Sequence, residues 1–183
     1  MSTPRLSASS YLVLGWVSLL GKPTTYDINR YVSYSVGEFW PFPQSQLYAE
    51  TARLAEAGLL TSEREEGGRH RRHYAITDKG RQALSSWLAE PATEAPEIRH
   101  AGLLKLFFSE LATTDEVVEL ARTQEALHRE QLARYQAVVD KYGSRRELAC
   151  RVATARFGIA YARTAAEFWR EIAENPPEVT ETG

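Results

Sequence analysis

Apolar residues recur at helical spacing between Ser9 and Leu20, as Tyr11, Leu12, Leu14, Trp16, Val17, Leu19 and Leu20, and the run stops at Gly21-Lys22-Pro23. Serine before such a run and Gly then Pro after it punctuate a helix, so a first helix is expected over 9–20. A second starts at Thr24 or Thr25 and carries Tyr26, Ile28, Tyr31 and Val32 on one face, until Gly37 and Phe39-Trp40-Pro41-Phe42-Pro43 break it. A third runs from about Ser45 to Ala57, with Leu47, Leu54 and Ala55 inward and Gly58 as its stop. Two short runs, 59–64 and 72–77, flank Gly67-Gly68 and read as a β-hairpin. Thr77-Asp78-Lys79-Gly80 then opens a fourth helix bearing Ala83, Leu84, Trp87 and Leu88, which closes near Pro91. Three helices, a hairpin and a helix make a winged helix-turn-helix order. In such a domain the third helix enters the DNA major groove and the hairpin tip meets the backbone or minor groove.

Beyond the loop from Pro91 to Pro96 the pattern stays helical, so the chain is expected to be mainly α. Helical segments are expected over 98–111, over 113–142 behind the capping signature Thr113-Thr114-Asp115-Glu116, and over 144–173. In the last, Leu148, Val152, Ala155, Ile159, Ala162, Ala166 and Trp169 alternate at spacings of four and three, a heptad seam with small residues that permit close approach. The plain reading is a hairpin between the last two helices. The preferred reading adds a second copy on that seam, because one helix pair leaves much apolar surface uncovered. The expected organisation is a winged helix over 1–91, a helical, coiled-coil-like dimerisation domain over 92–175 and a flexible tail over 176–183.

Composition narrows the class. With 183 residues, 43% hydrophobic and 25% charged, the chain is ordinary globular material. A single cysteine, Cys150, excludes an internal disulfide and suits a reducing cytoplasm. No apolar run approaches the roughly 18–20 residues that span a bilayer. Arg5 stands far ahead of the apolar stretch 11–20 and no small-residue cleavage pattern follows, so neither a membrane span nor a secretory leader is expected. Residues 1–92 carry ten basic and nine acidic side chains, and 93–183 carry twelve and fifteen, so bulk charge says little about nucleic acid. The local run Arg69, His70, Arg71, Arg72, His73 beside Gly67-Gly68 says more: at a hinged hairpin tip it supplies phosphate contacts.

The segments Tyr11-Leu12-Val13-Leu14-Gly15, Tyr26-Asp27, Gln46-Leu47-Tyr48, the run from Leu54 to Leu60, the run from Arg72 to Thr77 and Gly80-Arg81 occur in this order through the first 91 residues. As a set they resemble the PadR family of bacterial transcriptional regulators. Where family members often carry Gly before the tyrosine of the second helix, this chain has Thr25, a good N-cap residue. The resemblance implies a cytoplasmic, homodimeric repressor that binds double-stranded DNA at a pseudo-palindromic operator. It also implies dimerisation through the long C-terminal helices, as in the larger members, and for many members a response to phenolic acids, drugs or other small molecules.

Candidate residues follow. At the start of the third helix, Gln44, Ser45, Gln46 and Thr51 are of types that reach bases or phosphates, with Gln able to pair bidentately with adenine. By resemblance Tyr48 contacts the DNA backbone. Arg69, His70, Arg71 and Arg72 form the wing set, with Lys22 and Lys79 accessory. Trp16, Trp40, Phe157 and Tyr161 are candidates to line a pocket for a planar aromatic effector, against the plainer reading as core. His70 and His73 lack the partners of a metal site, and no cofactor motif, nucleophile elbow or Gly-rich phosphate loop is present, so neither cofactor nor enzymatic activity is expected. Cys150, near Arg145, Arg146 and Arg151, reads as an inert thiol, with a redox sensor as the sharper alternative. A different class of reading is a helical adaptor that uses the winged helix for protein contact.

Overall fold

The computed structural model describes residues 5–65 and 71–179. It contains α1 (Ala8–Leu20), α2 (Thr25–Ser33), α3 (Gln44–Glu56), β1 (Leu60–Arg64), β2 (Arg72–Ile76), α4 (Asp78–Ala89), α5 (Ala101–Phe107), α6 (Thr114–Tyr142) and α7 (Ala149–Glu174). The chain divides into two compact units, Met1–Ala95 and Pro96–Gly183. The first is the winged helix that the element order predicts.

Its core gathers Val13, Leu14 and Val17 of α1, Ile28 and Val32 of α2, Leu47 and Leu54 of α3, and Leu59, Leu60 and Tyr74 of the hairpin and its approach. Full burial of each aliphatic side chain is worth about 1.5–3 kcal/mol. That exceeds the ~1 kcal/mol of a single cap or hydrogen bond, so packing holds the unit together while caps fix where elements begin and end. Thr24 caps α2 in a reciprocal box: the Asp27 amide donates to Thr24 Oγ1 (3.2 Å), and the Thr24 amide donates to Asp27 Oδ2 (3.0 Å). Thr25, read as a cap from the sequence, is instead the first helical residue and is buried. Gly58 ends α3 at φ 72°, with its amide on the Ala55 carbonyl and the Leu59 amide on the Leu54 carbonyl. At Gly80 any Cβ would collide with the Leu59 carbonyl oxygen, so only glycine lets α4 start against the hairpin.

β1 and β2 pair antiparallel, from Leu60 opposite Ile76 to Arg64 opposite Arg72. The second strand is also stitched to the α1–α2 connection. The Tyr74 amide donates to the Pro23 carbonyl at 2.9 Å, and His73 Nδ1 donates to the Lys22 carbonyl at 3.1 Å.

In the second unit α6 and α7 pack along their length as a helical hairpin, with α5 laid against α6. The expected single helix over 98–111 is the shorter α5 followed by a 3-10 turn, Ser109–Leu111. The inward line of α7 is Val152, Ala155, Gly158, Ala162, Ala166 and Trp169. A Cβ on Gly158 would lie 2.6 Å from the Tyr135 ring, so the glycine sets how closely the two helices approach. This corrects the expected dimer seam. Val152, Ala155, Ala162, Ala166 and Trp169 are already buried within one chain, with Leu148 and Ile159 half-buried at its margin, so the seam is taken up by the hairpin itself. A different stripe of α7 is left open: Phe157, Tyr161 and Phe168, with Phe157 74% exposed.

Candidate nucleic-acid interface

The inner side of α3 is fixed by three ties. Leu47 and Leu54 enter the core. Thr51 Oγ1, fully buried, donates to the Leu47 or Tyr48 carbonyl (3.0 Å to each) and lies 3.3 Å from the buried Thr25 hydroxyl of α2. Arg53 grips Glu50 bidentately at 2.6 and 2.9 Å and donates to Ser10 Oγ of α1 at 3.0 Å. The Arg53 guanidinium, with a smaller contribution from Ser10, holds the Glu50 carboxyl below the usual range, and Glu50 raises Arg53 in return. Thr51 is therefore not a DNA-contacting residue, which corrects the sequence expectation. At i+4 from Leu47 it belongs to the inward face and cross-links the two helices of the helix-turn-helix.

The outer side of α3 carries no such ties. Gln44, Ser45, Gln46 and Tyr48 are exposed, Tyr48 to 47%, and none makes a side-chain hydrogen bond to another described residue. They form one polar surface over the first turn and a half. The helix N-terminus adds partial positive charge there, with unpaired amides able to meet an anion.

Beside this surface lies the wing. Arg71 and Arg72 are exposed at the start of β2; Arg69 and His70, named from the sequence, lie outside the described residues. Arg64 stands directly opposite Arg72 in the ladder. Like charges facing across a strand pair repel, and no described carboxylate lies within ion-pair distance of Arg64, Arg71 or Arg72. The sequence reading missed Arg64, although pairing the two expected strands, 59–64 and 72–77, end to end sets 64 against 72. Lys22 bridges to Glu63 of β1 at 3.1 Å with both side chains well exposed, so it neutralises an acid of the wing. Lys79 donates to the Ala57 carbonyl at the end of α3 (3.0 Å), a structural role. Asp27, the acid nearest the wing on α2, is held below the usual carboxylate range mainly by the Thr24 hydroxyl and amide, with Arg30 and Arg71 adding to it.

The effector candidates do not form a set. Trp16 is closed into the first unit's core, stacked on Tyr31 at 5.3 Å, and offers no open face. Trp40 is exposed next to an open cleft of about 420 Å³ lined by Val32, Ser33, Gly37, Glu38, Pro41 and Phe42. Phe157 and Tyr161 belong to the second unit, one helical turn apart on the open stripe of α7. His73 is spent on the Lys22 carbonyl, and no group of three or more potential metal ligands occurs among the described residues. Cys150 is exposed near the start of α7.

Comparison with known proteins places these features. A family model described as "Transcriptional regulator PadR-like family" matches residues 13–86, and one described as "Virulence activator alpha C-term" matches 98–175. The "Negative transcriptional regulator PadR" of Bacillus subtilis is 28% identical over 116 residues, 62% of this chain and 63% of that protein. The chain thus spans less than two thirds of the length of the curated relatives it matches. Among solved structures, Bacillus subtilis PadR in complex with operator DNA superposes with a TM-score of 0.83 at 22% identity, covering 92% of this chain and 98% of that one. The same protein in complex with p-coumaric acid gives a TM-score of 0.76 at 21% identity, covering 90% and 96%. At such identities these superpositions establish the fold.

Proposed function

We propose that this chain, whose residues 13–86 match the PadR-like family of transcriptional regulators, is itself such a regulator, and that it binds operator DNA through the outer face of α3 and through the wing, as a homodimer, and represses transcription. The observation that carries this reading is the face itself. Gln44, Ser45, Gln46 and Tyr48 are held outward by a helix whose inner side is fully tied down, beside an arginine pair whose repulsion nothing described relieves. DNA phosphate between Arg64 and Arg72 would relieve it, and Gln side chains over the base edges would supply the reading. Repression follows the Bacillus relative, a negative regulator by name.

The dimer is proposed through the second unit, on the surface the intrachain hairpin leaves uncovered. Leu103, Leu104, Phe107 and Phe108 on and beside α5, with Phe157 and Phe168 on α7, are large apolar side chains exposed in one chain. Such surface favours burial against a like surface. Two winged helices so joined read half-sites about 34 Å apart, one turn of duplex. A planar aromatic acid, the class of the p-coumaric acid with which the Bacillus protein forms a complex, is the effector class proposed here. The test is fluorescence anisotropy with the DNA upstream of the protein's own gene against a random duplex. Preference for the upstream DNA supports the reading. Absence of salt-sensitive binding to any duplex would favour the adaptor reading.

A further inference from the structure

The second unit contains a pair of histidines in contact. His100 caps α5: its Nδ1 accepts from the Leu103 amide at 3.2 Å. Its Nε2 faces Nε2 of His128 on α6, also at 3.2 Å. His128 is buried, with the Tyr161 ring edge-on at 6.0 Å, and the Trp169 ring, itself buried, lies 6.1 Å from His100. The pair therefore joins α5 to both helices of the hairpin. Gly102, whose added Cβ would meet Gln124 at 2.6 Å, shows how tightly α5 sits there.

The hydrogen bonds fix the protons. An Nδ1 that accepts from Leu103 carries no hydrogen, so neutral His100 is protonated at Nε2 and donates to His128 Nε2. His128 then carries its own hydrogen on Nδ1, which is buried without a hydrogen bond of good geometry. One further proton has no place to go. On His128 Nε2 it would face the Nε2–H of His100 head to head. On His100 Nδ1 it would face the Leu103 amide and remove the cap. The same placement leaves His100 Nε2 without a free lone pair, so the contact is a hydrogen bond and not half of a cation site.

We infer that His100 and His128 form a proton-sensitive latch, which holds α5 on the α6–α7 hairpin while both rings are neutral and releases it when the pair takes up a proton. The surroundings favour the neutral state. Burial lowers the His128 pKa, with His100 acting in the same direction; Gln131 alone opposes them. Tyr161 of α7 is a further titratable group facing the pair. The acid one turn back on α6, Glu125, is held by Arg129 at 2.8 Å. Release would loosen the segment carrying Leu103, Leu104, Phe107 and Phe108, so acid would act on an exposed apolar surface of this unit.

The test is amide exchange and histidine ¹⁵N NMR on the full chain. At about pH 7.5 the spectra should show the Nε2–H tautomer for His100 and Nδ1–H for His128. Between about pH 7.5 and about pH 5.5 the protection of the Leu103 amide, corrected for intrinsic exchange, should fall about tenfold or more, together with the ring transition. His100→Asn keeps a capping oxygen but no proton site. It should hold Leu103 protection constant over that range. Unchanged wild-type protection through the ring transition, or equal acid loss in His100→Asn, would overturn the latch.

Discussion

Thr51 illustrates how one side chain decides what a neighbouring surface is free to do. Its hydroxyl is spent inward, between the Leu47 and Tyr48 carbonyls and the Thr25 hydroxyl, and this leaves Tyr48 to face out. Thr51→Val should leave the Thr25 hydroxyl buried without its partner and destabilise the fold by about 1–2 kcal/mol. Urea unfolding measures the loss, and the salt dependence of DNA binding should be unaltered. Tyr48→Ala, by contrast, removes an exposed ring. It should leave the unfolding midpoint within about 0.5 kcal/mol of the parent while weakening DNA binding. The sequence could place Thr51 on α3 but not foresee its partner, because the Thr25 contact depends on how α2 and α3 cross. Arg64 was legible from hairpin register alone.

Acid sensitivity at this scale has two windows. Asp27 has its carboxyl pKa lowered in the folded chain, first by the Thr24 hydroxyl and then by the Thr24 amide. Its contribution is present above the unfolded value, about 3.9, and is lost as pH falls through the lower folded value. His128 is likewise lowered, by burial first. As a base it stays neutral in the folded chain while the unfolded chain takes up protons, so stability begins to fall below about pH 6.5 and the loss is complete below its folded value. Thermal melting across pH should therefore show two acid limbs. Asp27→Ala should shrink only the lower one, to which Glu50 also contributes, and His128→Gln should remove only the upper one.

Among the elements, the helices, the hairpin and their order were legible because the signals are local: Gly58 after α3, Thr113 and Glu116 before α6, and alternating spacing through α7. What α7 packs against was not, since a heptad seam serves an intrachain or an intermolecular neighbour equally well. Gly158 carries the discriminating information, but only once Tyr135 is known to lie across it. Gly158→Ala should force the helices apart and cost about 1–3 kcal/mol. Chemical denaturation followed by far-ultraviolet circular dichroism would register it. A neutral outcome would mean the hairpin is looser than described.

Over the whole molecule, the proposed DNA-reading unit is followed in the chain by a helical unit with uncovered aromatic surface. Replacing Phe157 and Phe168 by Glu should convert the proposed dimer to monomer in sedimentation equilibrium. It should also weaken operator binding, since each half-site is then bound independently. Folding of the first unit, whose core contains neither residue, should survive.

The most direct test of the central claim, that α3 and the wing are the DNA interface, is the salt slope of operator binding for the parent and for Arg64→Ala with Arg72→Ala. Each phosphate contact contributes about 0.9 to the slope of log affinity against log salt. The double variant should bind operator and random duplex more weakly alike, with a slope shallower by about 2. Unchanged affinity and slope would contradict the interface, and with it the role given to the wing.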